Sequence, residues 1–139
     1  MIRYLADTNI LGYLLRHTYP ALHQRLLAAM QAEEVAISVA TRAEIRFGQA
    51  LLDATDKRRT AIDLLLKEMT TLAWTNATAD CYGSLAAHLR KIGQPIGTMD
   101  TLIAAHALAE NLILVTHNTR HFERVPGLQL EDWAVLESA

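Results

Sequence analysis

The chain opens on an apolar run, Ile2-Arg3-Tyr4-Leu5-Ala6, that stops at an acid, Asp7. A run this short, bounded by polar residues, predicts a buried strand. Ile10 to Arg16 reads as a short helix with Thr8 or Asn9 as its cap. Pro20 suits the first turn of a second helix reaching about Ala32. Val35 to Ser38 predicts another strand, and a helix follows from about Arg42 to Asp53. Lys57 to Met69 reads as a helix capped by Asp56, and Thr71 to Trp74 as a strand. Thr78 to Ile92 predicts a helix ending at Gly93, where Gly93-Gln94-Pro95-Ile96-Gly97 is rich in helix breakers. Thr101 to Ala109 is helical in pattern with Asn111 as a stop, and Leu112 to Thr116 is a continuous apolar strand. His117 to Glu123 reads as a loop or short helix, and Pro126-Gly127 turns into a last strand at Leu128 to Leu130.

Short apolar strands alternating with helices predict an α/β fold, a central parallel sheet flanked by helices on both faces. Ligand sites in such sheets lie beyond the carboxyl ends of the strands. Asp7 and the Thr116-His117-Asn118 segment fall at such ends, while Glu44 and Asp100 fall in the first turns of predicted helices. One shared edge for all of them is therefore expected.

The 139 residues predict one domain spanning 1–139, with 51% apolar and 20% charged residues supporting an ordinary globular core. No apolar run reaches the length of a membrane span, and the amino terminus reads as a strand and not as a secretory signal. Cys81 is the only cysteine, so an internal disulfide and cysteine-rich zinc sites are excluded, and a reducing cytoplasm is the expected home. A net charge of −2 argues against coating nucleic acid by bulk charge. It leaves room for an enzyme with acids in its pocket and arginines at its rim.

Each acid has a structural reading beside a chemical one. Asp7 fits a helix cap, but Thr8 and Asn9 can cap without it. Glu44 fits a capping box with Thr41, yet it also shares a helical stripe with Gly48, Leu51 and Leu52 that points it inward. Asp100 fits a first-turn acid favoured by the helix dipole, and it shares the stripe of Ile103, Ala104, Ala107 and Leu108. Carboxylates gathered on apolar faces repel one another and lose solvation, which creates demand for a cation. The chain is thus readable as a metal-dependent enzyme.

The other candidates favour bland readings. His117 and His121 have helical zinc-ligand spacing without an evident third ligand. His106 reads as a packed or hydrogen-bonded residue and Cys81 as a buried thiol. Lys57-Arg58-Arg59 and Arg90-Lys91 read as solvated faces, and Trp74 and Trp133 as core or interface anchors. Glycine-rich phosphate loops and a serine nucleophile elbow are missing from the sequence.

As a whole the pattern resembles the PIN domain, and more narrowly the VapC-type toxin ribonucleases of bacterial toxin–antitoxin pairs. The matching pieces are Leu5-Ala6-Asp7-Thr8-Asn9, Ala43-Glu44 with Gly48, and Ile96 to Ala107 around Asp100. Leu114-Val115-Thr116-His117-Asn118, Phe122 to Leu128 and Glu131-Asp132-Trp133 complete a match over nearly the full length. The tail resembles an enteric subgroup that cuts initiator tRNA.

The resemblance implies a PIN-like three-layer sandwich and an acidic quartet binding Mg²⁺ or Mn²⁺. Three members map onto Asp7, Glu44 and Asp100. Relatives carry the fourth acid where Asn118 or His121 stands, and this chain has neither, which puts a second metal in doubt. Asn118 can still offer a carbonyl oxygen or orient water, and Thr8, Asn9 and Thr116 match polar positions near the family's site. Oxygen-only ligands suit Mg²⁺ or Mn²⁺ rather than zinc. The implied activity is a single-strand-directed endoribonuclease acting on initiator tRNA in the anticodon loop, with a ribosomal RNA loop as the second target. Arg42, Arg46 and Arg120 are the candidates for phosphate contacts. The implied partners are a VapB-type antitoxin that pushes an arginine or other side chain toward the acids, and a second copy of the chain in a homodimer.

Two other classes compete. A signalling receiver would need an adjacent acidic pair and a lysine after a late strand, and Lys57, Lys67 and Lys91 are not so placed. A PIN-like scaffold that binds RNA or protein without cutting would bind metal and leave RNA intact.

Overall fold

The computed structural model describes residues 1–135. Its elements run β1 (Tyr4–Ala6), α1 (Thr8–Arg16), α2 (Pro20–Gln31), β2 (Val35–Ser38), α3 (Val39–Ala50) and α4 (Lys57–Glu68). They continue with β3 (Thr70–Leu72), α5 (Asn76–Lys91), α6 (Thr98–Ala109), β4 (Ile113–Val115), α7 (Thr119–Phe122) and β5 (Leu130–Glu131). The strands form one five-stranded sheet in the order β3-β2-β1-β4-β5. Every pairing is parallel, with Leu5 opposite Ala36 on one side and Leu114 on the other.

The period-two alternation of β1 sends its residues to two separate cores. Tyr4 and Ala6 join Ile10, Leu11, Leu22, Leu26, Leu65 and Trp133 on one face. Leu5 joins Leu85, Leu89, Ile103, Ala104 and Phe122 on the other. The result is the expected three-layer sandwich, with α1, α2 and α4 on one side and α5 and α6 on the other. Full burial of side chains such as Leu5, Ile10 and Leu114 contributes about 1.5–3 kcal/mol each. This drives the short strands into register despite their length. Trp133 is core, stacked edge-on against Tyr4 at 4.9 Å.

Several boundaries differ from the sequence expectation, and each difference has a local cause. Helix α1 is capped by Asp7, whose side chain accepts from the Ile10 amide, and not by Thr8 or Asn9. Helix α3 starts at Val39, earlier than Arg42, because the Ser38 hydroxyl caps it. The capping box of Thr41 and Glu44 therefore does not form. Helix α5 begins at Asn76 under a Thr75 cap, and α6 begins at Thr98. The strand expected over Thr71 to Trp74 is Thr70–Leu72, and the last strand is Leu130–Glu131. Leu51 does not share a buried face with Glu44, since it is 72% exposed just past the end of α3. Cys81 is half-buried rather than buried.

Candidate active site

Asp7 is the first residue beyond β1, and its amide donates to the Val115 carbonyl at 3.0 Å. That bond continues the ladder between β1 and β4 and fixes where the side chain leaves the sheet. Oδ1 accepts from the Ile10 amide at 3.0 Å, and Oδ2 accepts from the Thr116 hydroxyl at 2.6 Å. The same Thr116 oxygen accepts from the Asn118 amide at 3.0 Å, so the turn after β4 is tied to Asp7 through one hydroxyl. Asp7 is only 4% exposed. Burial pushes its carboxyl up to about 6 from 3.8, against the pull of the Thr116 and Ile10 hydrogen bonds, and the negative charge of Asp100 adds to the rise. Asp7 is thus both the helix cap and a buried acid.

Asp100 lies in the first turn of α6, where the helix dipole favours its charge. Gly97 precedes that helix at φ 92°, ψ 154°, a conformation essentially confined to glycine. Its carbonyl accepts from both the amide and the hydroxyl of Thr101. Asp100 Oδ2 lies 3.0 Å from His121 Nε2, which is also 2.8 Å from the Ile96 carbonyl. Burial raises the Asp100 carboxyl, and His121 partly offsets this. Sequence reading placed His121 as a vacant position in the acid set; the structure makes it the clasp on Asp100. Their separation of a helix, a strand and a turn leaves no local signal of the contact.

Glu44 approaches the edge differently. It sits one turn inside α3, half-buried, and its Oε1 accepts from the Thr8 hydroxyl at 2.5 Å. Thr8 is the neighbour of Asp7, and its hydroxyl is 3.4 Å from that of buried Thr41. Glu44 is therefore linked to the Asp7 segment through Thr8. Asn118 is exposed at the start of α7, with its amide on Thr116 and its side chain making no cap bond. Among the described residues, no three histidine, cysteine or acidic side chains converge as a ready-made metal cage.

The remaining candidates resolve by their partners. Arg42 donates to the Leu66 carbonyl and the Thr71 hydroxyl, and Arg46 donates to Gln49 and Asp63. Both tie α3 to its neighbours, Arg42 through partly buried bonds and Arg46 through a surface pair with Asp63. Arg120 is exposed. Arg59 is half-buried and donates to the Gln49 and Leu52 carbonyls, closing the end of α3, so it does not belong to a solvated face. His106 is fully buried with Nδ1 2.7 Å from the Ser38 hydroxyl. His117 pairs with Asp132 and His121 with Asp100, so the two imidazoles face different partners.

The chemistry of this edge is a shortage of positive charge. The charge of Asp100 raises the cost of ionising Asp7, which is almost wholly desolvated. Carboxylate oxygens are what a Mg²⁺-like ion takes from a protein, with water and substrate phosphate completing its shell. The oxygen donor set therefore fits such an ion.

Comparison with known proteins identifies the family. The PIN domain family model matches residues 4–128. "Ribonuclease VapC2" of Haemophilus influenzae is 35% identical over 133 residues, covering 96% of this chain and 99% of that protein. "tRNA(fMet)-specific endonuclease VapC" of Shigella flexneri is 31% identical over 134 residues, covering 96% of this chain and 100% of that protein. The crystal structure of VapBC2 from Rickettsia felis bound to a DNA fragment from their promoter contains a chain that superposes with a TM-score of 0.85. That chain is 32% identical, with 96% of this chain and 99% of that one covered. With the fold, the family model and the full-length relatives in agreement, the chain belongs to the PIN-domain family and, within it, to the VapC ribonucleases.

Proposed function

We propose that this chain is a metal-dependent, single-strand-directed endoribonuclease. In this reading it is the toxin of a type II toxin–antitoxin pair, and it cuts initiator tRNA in the anticodon loop to stop translation. The observation that carries the chemistry is Asp7, buried at the carboxyl end of β1, whose carboxyl is pushed up further by the negative charge of Asp100. The target rests on the relatives named as tRNA(fMet)-specific endonucleases in Shigella flexneri and Salmonella typhimurium.

In this reading Asp7 and Asp100 hold one Mg²⁺ or Mn²⁺. A bound ion of this kind polarises the phosphate and lowers the pKa of an attacking water. The protein's own contribution is to keep the pair aimed. Thr116 and the Ile10 amide lock both oxygens of Asp7, and His121 steadies Asp100 against Ile96. Glu44, with Thr8 between it and Asp7, takes the proton from the attacking water, and Asn118 orients water at the open side.

The partner in this reading is a VapB-type antitoxin, since the similar chains of Rickettsia felis and Salmonella typhimurium were solved as VapBC complexes with DNA. A groove of about 250 Å³ between α1, α3 and α4 offers the antitoxin an apolar seat. Gly12, Leu15, Gly48, Leu52 and Ile62 line it, with Arg16 and Arg58 at its sides. Phe47 and Leu51 stand exposed on and beside α3. A homodimer completes the assembly. No helix among the described residues is long and apolar enough to cross a membrane.

Incubation of the purified protein with total bacterial RNA and Mn²⁺, followed by mapping of fragment ends, tests the target. Fragments ending in the initiator tRNA anticodon loop support the proposal. Fragments ending only in a ribosomal RNA loop replace the target, and intact RNA with a folded, metal-loaded protein favours a non-catalytic scaffold.

A further inference from the structure

Beside the acids lies an aromatic cluster that the nuclease reading leaves without a role. Tyr13 and Tyr19 meet edge-on at 5.0 Å, Tyr19 and His117 lie 5.3 Å apart, and Tyr13 and His117 lie 5.9 Å apart. The His117 ring is held by Nδ1 at 2.9 Å from Asp132 Oδ2, while Nε2 has only a long contact of 3.5 Å with the Tyr19 hydroxyl. The Asp132 side chain is mostly covered, but that of His117 is 39% exposed. The ring is therefore anchored at one edge and open elsewhere.

Its place in the fold is specific. His117 directly follows Thr116, the residue that holds Asp7, and precedes Asn118, whose amide binds the same Thr116 hydroxyl. Asp132 follows β5, so the cluster stands on the same carboxyl edge of the sheet as the carboxylate pair. The Arg16 guanidinium lies 5.6 Å from the Tyr13 ring and supplies positive charge next to the rings. Aromatic faces flanked by cationic groups are how proteins bind unpaired bases without needing a particular sequence.

We infer that His117 and Tyr19, with Tyr13 behind them, form a stacking subsite for an unpaired nucleobase next to the scissile phosphate. This rests on the ribonuclease reading and deepens it. The Asp132–His117 bond sets the ring's orientation, and the pairing of an acid with an exposed imidazole keeps the platform rigid before RNA arrives. Selection for single-stranded RNA follows, because a base can reach the rings only when it is unstacked.

The test uses the Asp100→Asn protein, expected to be unable to cut RNA, and a single-stranded RNA oligonucleotide carrying 2-aminopurine. Stacking quenches the fluorophore, and binding is read from the same titration. The expected result is quenching with the Asp100→Asn protein, lost when His117→Ala is added, with binding weakened about fivefold or more. His117→Phe keeps a stacking face but loses the Asp132 bond, so it restores quenching and binding in part, which separates a stacking ring from a structural prop; circular dichroism melting confirms that each variant is folded. Binding without quenching, or quenching that survives His117→Ala, overturns the subsite and leaves the nuclease reading standing. Absence of RNA binding by the folded Asp100→Asn protein overturns the subsite too, and cleavage by the wild-type protein then decides the nuclease reading separately.

Discussion

Replacing Asp7 by Asn should stabilise the cation-free protein at pH 8 while abolishing its activity. Burial pushes the Asp7 carboxyl up to about 6 from an ordinary 3.8, so the folded state holds the proton more tightly than the unfolded chain. Asp7's contribution to wild-type stability is then highest below about pH 3.8, falls as pH rises to about 6, and stays at its lower level above that. The shift of about two units corresponds to about 3 kcal/mol at pH 8. By the same linkage, about half of that remains at pH 5. Asn keeps an acceptor for the Ile10 amide and turns its NH₂ toward the Thr116 hydroxyl, which can rotate to accept. Allowing about 1 kcal/mol for imperfect replacement leaves about 2 kcal/mol. That is about 6 °C in Tm for a chain of this size. Thermal melts of both proteins in chelator at pH 5, 6, 7 and 8 read this directly. A variant that melts below wild type at pH 8, or a gap that does not shrink toward pH 5, would refute the argument that Asp7 is an under-compensated buried charge. Added Mn²⁺ should raise the melting temperature of the wild type and leave the variant unmoved.

Thr116→Val should lower stability by about 1–3 kcal/mol, because Asp7 Oδ2 and the Asn118 amide both lose their buried partner; denaturant melts check it. Gly97→Ala should cost about 1–3 kcal/mol through its backbone conformation at φ 92° and should weaken cleavage by displacing Asp100. Urea unfolding and RNA turnover measured together would show both effects. Phe47→Asp with Leu51→Asp should loosen the antitoxin complex in a pull-down while RNA cleavage by the isolated toxin stays near wild type, because both side chains are exposed and neither is among the acids or their hydrogen-bond partners. Loss of cleavage without loss of complex formation would contradict that surface assignment.

The architecture was legible because the apolar strand runs are short, continuous and separated by helical stretches, a pattern that a doubly covered parallel sheet demands. Asp7 and Asp100 were legible because an acid closing a buried strand and an acid opening a buried helix are both costly placements. Local rules failed where a distant residue competed. Thr8 was expected to cap α1, but its hydroxyl is taken by Glu44 from α3, and Asp7 caps instead. Glu44 had a capping-box reading beside its chemical one, and that reading fails because Ser38 starts α3 earlier and carries Glu44 into the next turn. Arg42 and Arg46 looked available to phosphates, and nothing in their neighbours along the chain shows that Leu66, Thr71 and Asp63 consume them. His121 was legible only as the lack of an acid, because its partners Asp100 and Ile96 come from the far side of α6.

The rate of RNA cleavage as a function of Mn²⁺ concentration, measured for wild type, Asp7→Asn, Asp100→Asn and Glu44→Gln, tests the central claim most directly. The account predicts a saturating dependence for wild type and no cleavage in chelator. It also predicts no cleavage by either Asn variant at any concentration, and a rate about 100-fold or more lower for Glu44→Gln with the metal dependence retained. Cleavage that persists in chelator, or that survives Asp7→Asn or Asp100→Asn, would contradict it.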